Sequence, residues 1–185
     1  TNGEEAIALA SSQDHKRVFD GDAGPNTGGM GAYSPAPIVS EELFKQVMEK
    51  VIYRAMDGLA KEGIEYKGVL YAGIMVTKEG PKCLEFNARF GDPETQVILP
   101  RLKSDLLEVM LAASVGKLSR YKNLQWEKRA SVCVVCASKG YPGEYEKGKE
   151  IAGLEEAGVM KDIFVFHSGT SSLPAKDSSR IVTNG

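Results

Sequence analysis

Long apolar runs are missing from this 185-residue chain. No stretch is long enough to span a bilayer, and the polar start Thr1-Asn2-Gly3-Glu4-Glu5 does not read as a signal peptide, so no membrane partner and a cytoplasmic setting are expected. An excess of positive charge is missing too. The net charge is -2, with no basic run and no interleaving of basic and aromatic residues, which argues against a nucleic-acid partner. Cysteine is scarce: three residues without regular spacing build no disulfide framework. Cys133 and Cys136 have C-x-x-C spacing, but they sit in the β-branched run 130–137, where a buried strand is expected and residues three apart face opposite sides. The two histidines, His15 and His167, have no acidic or nucleophilic companion at a motif spacing and are expected to be structural. Neither a G-x-x-x-x-G-K-[ST] loop nor a G-x-G-x-x-G after a strand is present, and there is no internal repeat.

Against these absences stands Leu84-Glu85-Phe86-Asn87-Ala88-Arg89-Phe90-Gly91-Asp92-Pro93-Glu94. If it is extended as far as Arg89, side chains alternate, and Glu85, Asn87 and Arg89 share one face. Carboxylate and amide oxygens suit a hard cation such as Mg²⁺, which draws few protein ligands where it also meets phosphate oxygens. A guanidinium on the same face suits an anionic oxygen through its bidentate fork. The bland alternative is a surface pair on a solvated strand. Gly91-Asp92-Pro93-Glu94 then predicts a strand end feeding a helix, with Asp92 as N-cap and Pro93 as first helical residue.

Around this segment the pattern predicts an α+β fold. Ala6 to Ala10 is a strand candidate. Ser40 caps a helix whose apolar positions, among them Leu43, Val47, Val51 and Leu59, recur at helical spacing, and Gly63 suits its end. Val69 to Thr77, the turn 78–81 and Lys82 to Arg89 read as a hairpin. Helical stretches follow from Pro93, interrupted near Pro100, and from Ser104 to Gly116. Residues 119–128 read as a polar connector, and strand candidates follow at 130–137, 163–167 and 180–183. The expected domains are therefore 1–118 and a mostly β piece, 119–185, with both ends cut short.

A second polar segment, Gln13 to Tyr33, holds Asp14, Lys16, Arg17 and Asp20 beside the glycine-rich Gly24-Pro25-Asn26-Thr27-Gly28-Gly29-Met30-Gly31. Glycines of this kind let a backbone approach a phosphate closely, and mixed charges suit a zwitterion or phosphate. A solvent-exposed turn accounts for the composition equally well.

Gln13-Asp14-His15-Lys16-Arg17, Gly24 to Tyr33, Leu84 to Glu94 and Ala137-Ser138-Lys139-Gly140-Tyr141-Pro142-Gly143, in this order, resemble the phosphoribosylamine–glycine ligases (glycinamide ribonucleotide synthetases) of purine biosynthesis, members of the ATP-grasp superfamily. The resemblance covers nearly the whole chain. It implies the C-terminal half of an ATP-grasp fold followed by a small β-rich domain. It also implies ATP-dependent joining of glycine to 5-phosphoribosylamine through an acyl phosphate, with Mg²⁺ or Mn²⁺. Residue by residue, Glu85 and Asn87 match metal-ligand positions and Arg89 the arginine that steadies phosphoryl oxygens. Asp14, Lys16, Arg17 and Asp92 fall to substrate binding. Leu70 to Val76 carries no carboxylate where many ATP-grasp relatives have a further metal ligand. The main ATP-gripping half is expected outside the chain, so the 185 residues alone are expected to be inactive, within a parent that has room for fusion to other purine-pathway domains. Another ATP-grasp carboxylate–amine ligase, or an inactive interaction piece, is the alternative.

Overall fold

The computed structural model describes residues 1–174 and 179–185. They form two compact units, Thr1–His15 with Gly28–Val134, and Lys16–Thr27 with Val135–Gly185. Helices and strands are mixed, as the α+β expectation has it.

In the first unit a helix begins where Ser40 accepts a hydrogen bond from the Leu43 amide at 3.2 Å, with Glu41 and Glu42 against its positive end. It runs as α1 (Glu41–Val47), a five-residue π turn (Met48–Ile52) and α2 (Tyr53–Lys61), burying Val51 and Met56. Gly63, at φ +74°, ends it, and the Ile64 amide donates back to Leu59 O at 2.9 Å. This is the left-handed stop that glycine makes cheaply.

Strands β3 (Tyr71–Thr77) and β4 (Gly80–Asn87) then form the expected hairpin. Tyr71 faces Asn87 and Gly73 faces Glu85, but Ile74 faces Cys83, so Leu84 is one residue extra. That bulge shifts the alternation by one position, placing Glu85 and Asn87 on one face and Cys83 with Phe86 on the other. Both faces are open: Leu84 is 65% exposed and Phe86 45%.

Beyond β4 the chain forms α3 (Thr95–Ile98), a 3-10 turn (Leu99–Arg101) where Pro100 interrupts it, and α4 (Leu106–Ser114), capped by Asp105 and stopped at Gly116. Val109, Ala113 and Leu118 make a small core against which Ile7, Tyr121 and Leu124 pack. Ile7 therefore contributes by packing, and residues 6–10, expected as a strand, form no regular element. The polar connector likewise folds back onto this unit. Buried Arg101 donates to Ser34 Oγ (2.8 Å), Arg129 O (2.9 Å) and Glu127 O (3.2 Å), and its guanidinium lies 5.9 Å from the Trp126 ring centre.

Strand β1 (Gln13–Phe19), β2 (Ala23–Ser34) and β5 (Ser131–Val134) form a sheet in the order β1-β2-β5, with Gly31 facing Val134 and Ser34 facing Ser131. The chain from Gln13 to Ser34 is thus two strands around a tight turn at residues 20–22, where the segment had read as a phosphate-type loop or an exposed turn. The glycines of β2 serve packing: a Cβ at Gly31 would lie 2.6 Å from Cys133 O, and one at Gly29 would lie 2.4 Å from Pro93 Cδ. Only a residue without a side chain fits there.

In the second unit β6 (Thr170–Pro174) pairs with β7 (Ser179–Thr183), and residues 148–151 bond along β7, with Ile151 N donating to Ile181 O at 2.9 Å. A short helix α5 (Leu154–Gly158) precedes them. Residues 163–167, expected as a strand, are irregular, with the Phe164 and Phe166 rings stacked at 6.5 Å.

Candidate functional site

The end of β4 carries the candidate site. Glu85 and Asn87 are two residues apart beyond the bulge, so their side chains meet: Asn87 Nδ2 donates to Glu85 Oε1 at 3.2 Å. Across the hairpin, Gly73 makes room for Glu85, since a Cβ there would lie 3.2 Å from Glu85 Cγ. Among the described residues no three His, Cys, Asp or Glu side chains gather to hold a metal. The donors present are one carboxylate and one amide oxygen, and they fit a hard cation whose remaining ligands are water and phosphate oxygens. They do not fit a zinc-type cage.

Next to this pair stands a contact that sequence reasoning missed. The Tyr71 hydroxyl, cross-strand from Asn87, donates to Glu94 Oε1 at 2.7 Å, and Glu94 is only 4% exposed. Burial, followed by the hydrogen bond to Glu94 and the negative charges of Glu94, Asp14 and Glu85, holds the Tyr71 phenol above its ordinary value. Tyr71 is thus a fixed neutral donor, and the carboxylates of Asp14 and Glu85 both act on it. Gly91 allows the arrangement, because a Cβ at that position would lie 2.4 Å from Glu94 Oε2. The register that sets Tyr71 opposite Asn87 was the available signal, and it depends on a bulge that alternation alone does not reveal.

The remaining expected site residues are dispersed. Arg89 lies past the end of β4, exposed, and Nη1 donates to Phe90 O at 2.9 Å, which leaves most of its fork open. Asp92 is exposed and its Oδ1 accepts from Gln96 Nε2 at 2.8 Å. It does not cap the helix. Helix α3 starts at Thr95, with Glu94 in the capping position, and Pro93 is buried ahead of it rather than forming its first turn. A buried proline wedged by Gly29 overrides the local cap preference. Asp14, half-buried on β1, belongs to the first unit, whereas Lys16 and Arg17 belong to the second. There the Lys16 backbone O accepts from Thr27 Oγ1 at 2.8 Å and Arg17 Nη1 donates to Gly24 O, bonds that engage the Lys16 backbone and one nitrogen of the Arg17 fork. His15 lies 5.6 Å from the Tyr33 ring and His167 Nδ1 is 3.1 Å from Thr170 Oγ1. No helix among the described residues is long and apolar enough to cross a membrane.

Residues 1–95 match the model of the phosphoribosylglycinamide synthetase ATP-grasp (A) domain, and residues 131–185 that of the phosphoribosylglycinamide synthetase C domain. The phosphoribosylamine–glycine ligase of Caldanaerobacter subterraneus subsp. tengcongensis is 54% identical over 184 residues, covering 100% of this chain and 42% of its own length. The trifunctional purine biosynthetic protein adenosine-3 of Gallus gallus is 56% identical over 185 residues, which are 18% of its length. The crystal structure of phosphoribosylamine–glycine ligase from Thermotoga maritima superimposes with a TM-score of 0.81 at 35% identity, over 99% of this chain and 43% of that one. The chain spans about two fifths of the length of the ligases it matches. With one family model matched over more than half its residues and a second over its C-terminal part, the chain belongs to the phosphoribosylglycinamide synthetase family.

Proposed function

We propose that this chain carries the metal-facing strand of an ATP-dependent carbon–nitrogen ligase that joins glycine to 5-phosphoribosylamine, giving glycinamide ribonucleotide, ADP and phosphate in purine biosynthesis. The hydrogen-bonded Glu85–Asn87 pair at the end of β4 is the observation that supports it most. Family membership supplies the reaction class. Glu85 and Asn87 would hold a Mg²⁺ or Mn²⁺ ion, which when bound offsets charge on the ATP phosphates. Arg89, with an open guanidinium fork, steadies the phosphoryl oxygens in transfer, and glycine's carboxylate becomes an acyl phosphate that the amine attacks. Tyr71 and Glu94 hold the strand end against the following turn, so that the donors keep their positions. Asp14, Lys16, Arg17 and Asp92 are assigned to glycine and phosphoribosylamine.

The same reading takes residues 1–118 as the C-terminal part of the ATP-grasp domain and 119–185 as part of a β-rich C-terminal domain, acting in the cytoplasm. Burial of Leu118 against α4 supports a first domain that reaches at least that far. The match to only 42% of the ligase supports assigning the adenine-gripping half to protein outside these residues. The trifunctional purine biosynthetic name of the Gallus gallus relative supports other purine-pathway domains as partners.

Transplanting the chain tests this reading. Placed in the Caldanaerobacter ligase in exchange for the 184 matched residues, it should restore glycine- and ATP-dependent phosphate release, while residues 1–185 alone should show none. A well-folded but inactive chimera would favour an interaction role.

A further inference from the structure

A groove of about 520 Å³ lies on the Phe86 face of β4, behind the Glu85–Asn87 pair and wholly within the first unit. One wall is the helix around the π turn, which contributes Lys50 and Val51, followed by Arg54 from α2. The other wall is the β3–β4 turn and β4, where the bulge at Leu84 turns Cys83 to the same side as Phe86. Both walls owe their shape to an irregularity, a π turn and a β-bulge, and both kinds are frequent beside binding sites.

The charges in the groove are unbalanced. Lys82 pairs with Glu79 at 2.9 Å. The side chains of Lys50 and Arg54 have no hydrogen-bond or ion-pair partner among the described residues. They are four apart on one helix face, where like charges repel, and an anion between them would relieve that repulsion. Two surplus positive charges match a phosphate monoester, which carries about -1.5 to -2 near neutral pH. The groove is far larger than a phosphate, and the remaining space runs along Val51 and the half-exposed Phe86 ring, an apolar surface suited to a flat group.

We propose that this groove binds a phosphate monoester bearing a planar ring, the chemical class of a nucleoside monophosphate, with the phosphate at Lys50 and Arg54 and the ring against Phe86. The site is separate from the ATP-facing strand face and goes beyond the proposed ligase reaction.

Cys83, an exposed free thiol in the groove, reports occupancy, and Cys136, also exposed and in the other unit, is the internal control. In the 185-residue chain, adenosine 5′-monophosphate should slow alkylation of Cys83 several-fold, read by peptide mass mapping, and leave Cys136 unchanged. Inorganic phosphate and adenosine should each protect much less. The double variant Lys50→Met, Arg54→Met should alkylate at the unprotected rate with or without nucleotide. Phe86→Leu should weaken protection by the nucleotide. The two helix positions are surface sites, and an unchanged thermal transition shows the double variant to be folded. Equal protection by inorganic phosphate, equal protection by adenosine, protection that survives the double variant, or no protection at all would each overturn the proposal. None of these readouts needs ligase turnover, so failure here leaves the reaction assignment standing, and the reverse holds as well.

Discussion

Two segments of this chain are dense in residues that suit ligands, and they fold to different ends. In β4 two polar side chains meet, Asn87 bonding to Glu85, and just past the strand end Arg89 keeps an open fork. In the β1–β2 hairpin two side chains bond to the backbone, one Arg17 nitrogen to Gly24 O and Thr27 to Lys16 O, while Gly29 and Gly31 make room for Pro93 and a backbone carbonyl. The difference teaches that alternation on a strand is a geometric statement about which atoms meet. Glycine content and charge density are compatible with both a binding loop and a packed sheet.

The comparison is broken most directly at Glu85. In the chimeric ligase, Glu85→Gln keeps size and hydrogen bonding but removes the charge, and turnover should fall by about a hundredfold or more. The thermal transition should be unchanged, because Glu85 is exposed. Wild-type turnover from this variant would reduce the pair to a surface contact.

A smaller effect sharpens the role of Arg89. Arg89→Lys retains charge but loses the planar fork, so kcat should fall by about tenfold with little change in the KM for ATP. A fall in stability with activity intact in the folded fraction would make Arg89 structural.

On the hairpin side the prediction concerns stability rather than chemistry. Gly31→Ala forces a methyl against Cys133 O and should cost about 1–3 kcal/mol by urea unfolding. Gly21→Ala meets no neighbour within 4 Å and bears only the penalty of its φ of +69°, about 1 kcal/mol. Equal costs at the two sites would mean that β2 is less tightly packed than described.

These cases also mark how much was legible in advance. The helix from Ser40, its stop at Gly63 and the β3–β4 hairpin each rest on local chemistry, a side-chain cap, a left-handed glycine and period-two alternation, and each was readable. Glu85 and Asn87 were readable for the same reason. The start of α3 was not, because buried Pro93 is fixed by its contact with Gly29, more than sixty residues away. Tyr71–Glu94 was hidden behind a register that one extra residue decides. The segment 163–167 has strand composition, but nothing in the sequence says whether a partner strand will be beside it.

The mildest effect is expected from that hidden pair. Tyr71 holds its proton more tightly in the folded chain than in the unfolded one, for reasons of burial first and of Glu94 second. Its contribution to stability is therefore complete below about pH 10, the value for an unfolded tyrosine, and is lost as pH rises beyond it. Tyr71→Phe should flatten that alkaline loss in denaturation curves compared at about pH 9 and about pH 11. An identical alkaline slope in the variant would place the titration elsewhere.

The central claim, that Glu85 and Asn87 form the protein's share of a divalent-cation site, is tested most directly by Mn²⁺ binding in the presence of ATP, followed by electron paramagnetic resonance in the chimeric ligase. The wild-type pair should retain Mn²⁺ that the double variant Glu85→Gln, Asn87→Ala loses, with the fold unchanged. Equal Mn²⁺ retention by the two proteins would contradict the account.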